Sequence, residues 1–209
     1  TLDCGDLSPL FRAGDLSPGA ARQVAPSEGG DKSPQSKALR AVSQRAAQTL
    51  KIAEDNNLSL LTIARDHLTL GRAALYAAIL SHSDIRVPMS GLDSAVAGLR
   101  RAGQQIILPH ALLTRAWLRF LTGARTGPER AQQDLDGAWE IAERGPMKLF
   151  LADILLHRAR LFFREPTYPW PNTTAKADLT AARKLIEQCG YGRCREELVD
   201  AEKVILGNR

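Results

Sequence analysis

Leu70-Gly71-Arg72-Ala73, Leu113-Thr114-Arg115-Ala116 and Leu156-His157-Arg158-Ala159 are three versions of one phrase, and each follows the previous one by 43 residues. A fixed period of this size is typical of proteins that stack one supersecondary unit, because a single unit cannot bury its own apolar face. The phrase therefore predicts an α-solenoid. Solenoids present extended concave surfaces to other molecules, so the repeat also favours a binding function over a catalytic one.

The composition around this phrase favours an all-α fold. Of the 209 residues, 44% are hydrophobic and only 5% are aromatic, so the core has to be built from Leu, Ile and Ala. Amphipathic stretches separated by Gly, Pro and Asn predict about four antiparallel helical hairpins with a period of 43–44 residues. The expected helices cover residues 38–56, 58–81, 90–103, 107–123, 128–144, 147–164, 174–189 and 193–206.

The first 37 residues have a different texture. They contain a Gly-Asp-x-Ser-Pro motif at residues 5–9, 14–18 and 30–34, and they lack a hydrophobic period of either 3.6 or 2 residues. Such a segment cannot bury enough apolar surface to offset its ordering entropy. We therefore expect a disordered leader over residues 1–37 and a helical repeat domain over residues 38–209.

Small residues and larger aliphatic residues follow one another within each unit in a familiar order. Leu70-Gly71 followed by Ala74 and Leu75 matches the Leu-Gly-x-x-Tyr phrase of tetratricopeptide repeats, and Trp117 stands at the aromatic position of the next unit. The repeat domain therefore resembles a tetratricopeptide array, with a period longer than the usual 34 residues. HEAT-type repeats, which span about 40–47 residues, stay open as an alternative packing.

Longer phrases carry a more specific resemblance. Residues 66–73, 134–145, 151–153 and 189–198 look like the carboxy-terminal repeat region of large bacterial signalling NTPases of the NACHT or NB-ARC type. In that family the repeats act as a sensor and scaffold beside the NTPase. The chain has no Gly-x-x-x-x-Gly-Lys-Ser/Thr loop, so the resemblance implies the sensor role without the ATP-binding chemistry.

The arginine of the repeated phrase is the first candidate for a binding residue. Arg72, Arg115 and Arg158 share one position in three successive units, so they could form a ladder of cations that grips carboxylates of a partner. The alternative is local. Each arginine could instead cover apolar surface with its stem, or pair with an acidic residue of the following helix such as Asp93, Asp136 or Asp178.

Three further residues are candidates for contacts with a partner. His67 and His110 are also 43 residues apart, and Asp153 stands at the next equivalent position. Repeats about 10 Å apart separate these side chains too far to share one metal ion, so structural or interface roles are expected. Trp170 lies in a Pro-rich and aromatic connection, which predicts an exposed loop that could dock a partner; packing across the end of a hairpin is the alternative.

The charge balance limits the remaining classes of partner. The repeat domain carries 24 basic and 18 acidic residues without a run of Lys or Arg, whereas proteins that bind nucleic acids usually carry a clustered basic stripe. A protein or peptide partner is therefore expected, possible partners including an NTPase or effector domain. A nucleic-acid-sensing surface is the alternative. No apolar run reaches the roughly 18 residues of a membrane span, and the three cysteines fit a reducing cytoplasm.

No pattern in the sequence predicts catalysis. The chain lacks a cysteine and histidine quartet with zinc-ligand spacing, and no serine or cysteine has a local nucleophile signature. We therefore expect no catalytic residue, no cofactor and no bound metal. The sequence predicts a non-catalytic scaffold or sensor module of a bacterial signalling or defence system.

Overall fold

A computed structural model describes residues 34–81, 84–86 and 88–207 of the chain. Within these residues the fold is all-α, as predicted, and no β-strand is present. A 3₁₀ turn, Gly192–Cys194, precedes the last helix. The eight α-helices are α1 Pro34–Asp55, α2 Leu60–Ser81, α3 Met89–Arg101, α4 Leu108–Leu121, α5 Ala131–Arg144, α6 Lys148–Phe162, α7 Ala175–Gln188 and α8 Arg195–Ile205.

Helix boundaries follow local backbone chemistry and differ from the predicted ones by a few residues. Helix α1 begins at Pro34, so helical structure starts four residues before the predicted domain boundary; residues 1–33 of the expected leader lie outside the described residues. Helix α3 ends before Gly103, whose φ of 65° suits a residue without a Cβ atom. Helix α5 begins three residues later than predicted, after Glu129 with a φ of 57°.

Each helix packs against the next one along the chain, and alternate helices also touch. Helices α2, α4, α6 and α8 contact one another in that order, while α3, α5 and α7 each pack between two of them. One cluster of buried apolar side chains runs from α1 to α6, and a second runs from α6 to α8. The even-numbered helices therefore form one continuous surface of the molecule.

Small residues allow helices α2 and α3 to approach each other closely. A Cβ atom added to Gly71 of α2 would lie 2.7 Å from Leu92 Cδ2 of α3. A Cβ atom added to Gly98 of α3 would lie 2.7 Å from Ala64 Cβ of α2. Two glycines on opposite helices therefore bring the α2 and α3 backbones together. In the described part of the chain, no helix is both long enough and apolar enough to cross a membrane.

Candidate functional site

A pocket of about 40 Å³ opens on the surface made by the even-numbered helices, and we call it the central pocket. Helix α2 supplies one wall, α4 lies in the middle, and α6 with the start of α8 supplies the opposite wall. Three successive units of the sequence repeat therefore contribute to one site. Its lining residues are Arg72, Tyr76, His110, Leu113, Thr114, Trp117, Asp153, His157, Cys194 and Glu197.

His157 lines the pocket with a neutral imidazole ring. Its Nδ1 atom lies 2.8 Å from the backbone carbonyl oxygen of Asp153, one helical turn earlier. Because a carbonyl oxygen can only accept, Nδ1 carries the proton in this contact, and Nε2 keeps its lone pair. Burial lowers the pKa of His157 to about 4, and the nearby Arg160 and Arg72 add to that effect. The ring is therefore neutral at pH 7.

His110 lies on the middle helix and is also neutral. Burial lowers its pKa to about 4, and the positive charges of Arg72 and Arg193 contribute further. Its ring packs edge-on against Phe150, with ring centroids 4.6 Å apart. Its backbone carbonyl oxygen accepts a hydrogen bond of 2.9 Å from the Thr114 hydroxyl.

Asp153 is the buried carboxylate of the pocket. The Cys194 thiol donates to Asp153 Oδ1 at 3.2 Å, and the Tyr191 hydroxyl donates to Oδ2 at 3.3 Å. Burial raises the pKa of Asp153 to about 6, so the group is mostly ionised at pH 7. Burial and the adjacent Asp153 also raise the pKa of Cys194. The thiol therefore stays protonated and is a poor nucleophile.

Glu197 forms the base of the same wall through a buried ion pair. Arg160 Nη1 donates to Glu197 Oε2 at 2.9 Å, and both side chains are more than nine-tenths buried. Burial raises the pKa of Glu197 and lowers that of Arg160, while each charge opposes the shift of the other. The pair ties α8 to α6 and leaves Asp153 as the carboxylate that is not paired with an arginine in this wall.

Arg72 supplies the positive group of the opposite wall. Its Nε and Nη2 atoms donate to the Tyr76 hydroxyl at 3.3 and 3.2 Å. Tyr76 in turn packs against Trp117 of α4, with ring centroids 5.8 Å apart. This wall therefore combines a guanidinium group with an aromatic surface.

Arg115 does not line the pocket, although it occupies the position equivalent to Arg72. Its guanidinium makes a two-point contact with the buried carboxylate of Asp134 on α5, at 2.6 and 3.0 Å. It also donates to Asp93 of α3 at 2.9 Å. Burial disfavours the charge, but these carboxylates outweigh it and raise the pKa of Arg115.

Arg158 repeats the contact one unit later. It donates to Asp136 at 3.1 Å, and Asp136 follows Asp93 by the same 43 residues that separate Arg158 from Arg115. Arg115 and Arg158 therefore pair with acidic residues of the chain itself, which was the local alternative. Their partners Asp93 and Asp136 lie in the preceding helix. The three arginines do not form one ladder, since only Arg72 faces the central pocket.

Trp170 is half-buried, whereas its position in a loop predicted exposure. Its Nε1 atom donates to Asp136 Oδ1 at 2.7 Å, and its ring packs edge-on against Phe162. The Arg158 guanidinium lies 4.4 Å from the ring centroid. The side chain closes the end of a hairpin, which was the alternative interpretation, because these polar and aromatic groups fold the loop back onto α5 and α6.

The histidine pattern is only partly reflected in the pocket. His110 and Asp153 line it, whereas His67 is half-buried on α2 and does not. Sequence reasoning missed the roles of His157, Cys194 and Glu197. His157 stands inside the repeated phrase, so its position was visible, but the other two enter only because the 3₁₀ turn folds α8 against α6.

The pocket combines charged and neutral polar groups with an aromatic surface. It is lined by one guanidinium group, two neutral imidazoles, the carboxylates of Asp153 and Glu197, and the rings of Tyr76 and Trp117. Among the described residues, no group of three or more His, Cys, Asp or Glu side chains is arranged to hold a metal ion.

Comparison of the chain with models of known protein families, with curated proteins and with solved structures gives no match. The function therefore has to be argued from the residues and their geometry.

Proposed function

We propose that this chain is a non-catalytic protein- or peptide-binding module, an α-solenoid of tetratricopeptide-like hairpins that binds its partner along α2, α4 and α6. The observation that carries the proposal is the central pocket, to which three successive repeats contribute. In helical repeat proteins a surface shared by successive repeats is the one suited to an extended partner.

The size of the pocket supports a macromolecular partner. A space of about 40 Å³ is far below the roughly 300–1,000 Å³ of a typical small-molecule site. Such a pocket holds one side chain or a few atoms, and the rest of the binding energy has to come from the surrounding helical surface. A protein or peptide that inserts one anchor residue meets this requirement.

The state of the polar groups supports binding over catalysis. Burial and the adjacent Asp153 keep Cys194 as a thiol, and His157 holds its Nδ1 proton against a backbone carbonyl. Neither side chain is placed as part of a nucleophile and base pair, which requires a direct hydrogen bond between them. The pocket is instead a fixed set of hydrogen-bond donors and acceptors.

The likeness to the repeat region of NACHT- and NB-ARC-type NTPases suggests where such a module acts. A sensor arm beside an NTPase or effector domain would use this face to detect a partner in the cytoplasm. A nucleic-acid ligand fits the pocket less well, because Asp153 and Glu197 would face a phosphate group.

Panning of a phage-displayed library of random 12-residue peptides against the immobilised full chain tests this function. We expect enrichment of peptides whose binding, measured by calorimetry, weakens at least tenfold in Arg72→Glu. Lys184→Gln, on the exposed side of α7, is the matched charge control and should bind as the original chain does. Absence of enriched peptides, together with binding to duplex DNA that is lost between 50 and 200 mM salt, would favour the nucleic-acid alternative.

A further inference from the structure

We propose that the end of the molecule at which α4 and α6 begin is a second binding surface, which takes a protein segment rich in acidic and aliphatic residues. We call this surface the α4–α6 edge and define it by residues 98–108 and 141–149. None of these residues lines the central pocket. The inference therefore goes beyond the proposed function, because it adds a partner that the pocket does not require.

The starts of α4 and α6 lie side by side. The His110 ring packs against Phe150 near the start of both helices, with ring centroids 4.6 Å apart. Phe120 packs against Phe162 near the ends of the same helices, with ring centroids 5.0 Å apart. The two helices therefore run in the same direction. Because α3 and α5 lead into them through residues 102–107 and 145–147, the last turns of α3 and α5 lie at this end as well.

Backbone hydrogen bonds fold each of these connections against the helix before it. Gln104 N donates to the carbonyl oxygen of Leu99 at 3.1 Å, and Met147 N donates to that of Ala142 at 2.8 Å. Each bond joins residues five positions apart and fastens the connection to the last turn of α3 or α5. Side chains of the connections therefore lie beside those of the last helical turns.

Aliphatic side chains are exposed at the α4–α6 edge. Ile106 is 69% exposed and Leu149 is 44% exposed, and the two are 43 residues apart in successive repeats. In the part of the chain that the structure describes, five of the seven exposed large apolar residues lie at or beside the turns that lead into even-numbered helices, namely Ile52, Leu58, Leu60, Ile106 and Leu149. Single exposed apolar residues are ordinary, but their concentration at one kind of turn indicates a surface that another molecule covers.

The charge of the α4–α6 edge favours an anionic partner. Four basic residues are exposed there, and one exposed acidic residue accompanies them: Arg100, Arg101, Arg144, Lys148 and Glu143. The basic groups stand in the last turns of α3 and α5 and at the start of α6, around the two aliphatic side chains. A segment with Asp or Glu on both sides of a Leu or Ile matches both features, since charge complementarity around an apolar centre gives specificity.

An acidic protein segment fits this end of the molecule better than an anionic membrane does. Ala64 near the start of α2 lies against Gly98 near the end of α3, so the turn between α1 and α2 lies at the same end. That turn carries two exposed acidic residues, Glu54 and Asp55, and one exposed basic residue, Lys51. A flat anionic bilayer that reached every exposed aliphatic residue would also meet these carboxylates. A peptide can bind the α4–α6 edge alone.

Three pools of phage-displayed 12-residue peptides test the proposal. Every pool carries Leu or Ile at one third of its positions, and the other positions are random mixtures of Asp and Glu, of Lys and Arg, or of Ser and Gln. We expect the immobilised full chain to retain the acidic pool at least about tenfold better than the other two at low salt. Retention should fall at about 1 M salt, where the reach of a charge shortens to about 3 Å. Equal retention of the three pools, or preference for the basic pool, would overturn the proposal.

Charge reversal at the edge distinguishes this surface from the general positive charge of the chain. Retention of the acidic pool should fall at least about tenfold in the double variant Arg101→Glu with Arg144→Glu. The matched control is Lys176→Glu with Lys184→Glu, which reverses two exposed charges on α7. Equal losses in the two double variants would show that the peptides respond to net charge alone and would overturn the proposal.

Removal of the aliphatic side chains tests the apolar part of the surface. Ile106→Ser with Leu149→Ser should also reduce retention of the acidic pool at least about tenfold. The matched control is Val199→Ser with Val204→Ser on α8, where both valines are exposed. All the substituted residues are exposed, so circular dichroism should report unchanged helical content. Retention that is the same in both double variants would contradict a role for Ile106 and Leu149.

Other occupants of the edge are tested with the same apolar variant. Vesicles of phosphatidylserine and phosphatidylcholine should not sediment with the full chain, and sedimentation velocity should give the same mass for the full chain and the variant. Vesicle binding that the Ile106→Ser and Leu149→Ser changes abolish would assign the edge to a membrane. A dimer that the same changes dissociate would assign it to a second copy of the chain. Either result would overturn the proposal.

Arg72→Glu separates this proposal from the function of the central pocket. Retention of the acidic pool should stay within about twofold of the original value in this variant, because Arg72 lines the pocket and not the edge. If the acidic pool depends on the edge while no peptide depends on Arg72, the proposed function fails and the edge proposal stands. If peptides depend on Arg72 and none depends on the edge, the edge proposal fails and the function stands.

Discussion

Arg72 and Arg115 stand at the same position of two successive repeats, yet one faces an open pocket and the other is buried in ion pairs. The difference begins in the preceding odd-numbered helix. Arg115 meets Asp93 of α3, while the residue 43 positions before Asp93 is Leu50 of α1. Arg72 donates to Tyr76 of its own helix and lines the pocket.

The arginine position of the repeated phrase therefore has two uses within the chain. In the α3 to α6 region the arginine pairs with carboxylates of neighbouring helices, as Arg115 does with Asp134 and Asp93. In the α1 to α2 region the equivalent Arg72 donates to the Tyr76 hydroxyl and lines the central pocket. The first use contributes to folding stability, and the second places a positive charge in the wall of the pocket.

The largest expected effect comes from removing the arginine of the buried network. Arg115→Met keeps most of the stem but leaves the carboxylate of Asp134, which is 2% exposed, without its two-point partner. Breaking one side of a buried pair costs about 3–5 kcal/mol. Because Arg119 Nη1 still lies 3.1 Å from Asp134 Oδ2, we expect the free energy of unfolding to fall by about 3 kcal/mol, the lower end of that range. Urea denaturation followed by circular dichroism measures it.

Arg72→Met is the matched variant for this measurement. It removes the same charge from the equivalent position, and its stability should change by less than about 1 kcal/mol. Equal losses of unfolding free energy in the two variants would contradict the proposed difference between Arg72 and Arg115.

The sequence predicted the helical architecture well because that information is local and periodic. The phrase that recurs every 43 residues, the helix-breaking residues between helices and the small residue Gly71 all act over short distances. It did not separate Arg72 from Arg115, because that difference depends on which side chain of another helix lies opposite. The pairing is visible in hindsight as the equal spacing of Asp93 and Asp136.

The pocket was harder to predict for a related reason. His110 and Asp153 were found through the period, but Cys194 and Glu197 have no equivalents in the repeat. They join the site through the 3₁₀ turn before α8, a tertiary feature. For Trp170 the sequence left both an exposed loop and packing across the end of a hairpin open, because its hydrogen bond to Asp136 and the contact of its ring with Arg158 depend on tertiary structure.

The pH dependence of folding stability should report on the titratable groups of the central pocket. The folded pKa of His157, about 4, lies below the ordinary value of 6.5, so its contribution is complete above pH 6.5 and is lost as the pH falls toward 4. The folded pKa of Asp153, about 6, lies above its ordinary value of 3.8, so stability associated with it increases as the pH falls through the same range. The two groups therefore oppose each other.

Substitution of His157 and substitution of Asp153 should change the loss of stability at acid pH in opposite directions. Between pH 7.5 and 4.5, His157→Gln should reduce the loss of stability by about 1–3 kcal/mol, and Asp153→Asn should increase it by a comparable amount. Urea denaturation midpoints at the two pH values measure this, with Lys184→Gln as the control. A change of the same sign in both variants would contradict the assigned shifts.

A new carboxylate in α1 should give Arg72 an ion-pair partner equivalent to the one that Asp93 gives Arg115. Leu50→Asp places an acidic residue 43 positions before Asp93, where Arg72 can pair with it. The lost burial of a half-buried leucine and the new ion pair partly offset each other, so stability should change by about 1 kcal/mol.

The decisive measurement for that variant is the pKa of His110. The charge of Arg72 helps to lower this pKa, so pairing Arg72 with a carboxylate should raise it from about 4 toward its ordinary value. Leu50→Asn has the same size without the charge and should leave the His110 titration, followed by NMR, unchanged. An identical titration in both variants would show that α1 does not control Arg72.

The last pair of substitutions compares how closely the helices pack in the two regions. Gly98→Ala in α3 places a Cβ atom 2.7 Å from Ala64 Cβ, so the backbones of α2 and α3 have to move apart. Overpacking of this kind costs about 1–3 kcal/mol, which exceeds the roughly 1 kcal/mol that alanine gains over glycine in a helix. Gly137→Ala in α5 meets only Leu112 Cδ1 at 3.7 Å, so the same change there should raise stability by about 0.5–1 kcal/mol. Thermal unfolding of the two variants measures the difference, and stabilisation by both would show that the first hairpin is no more tightly packed than the region held by arginines.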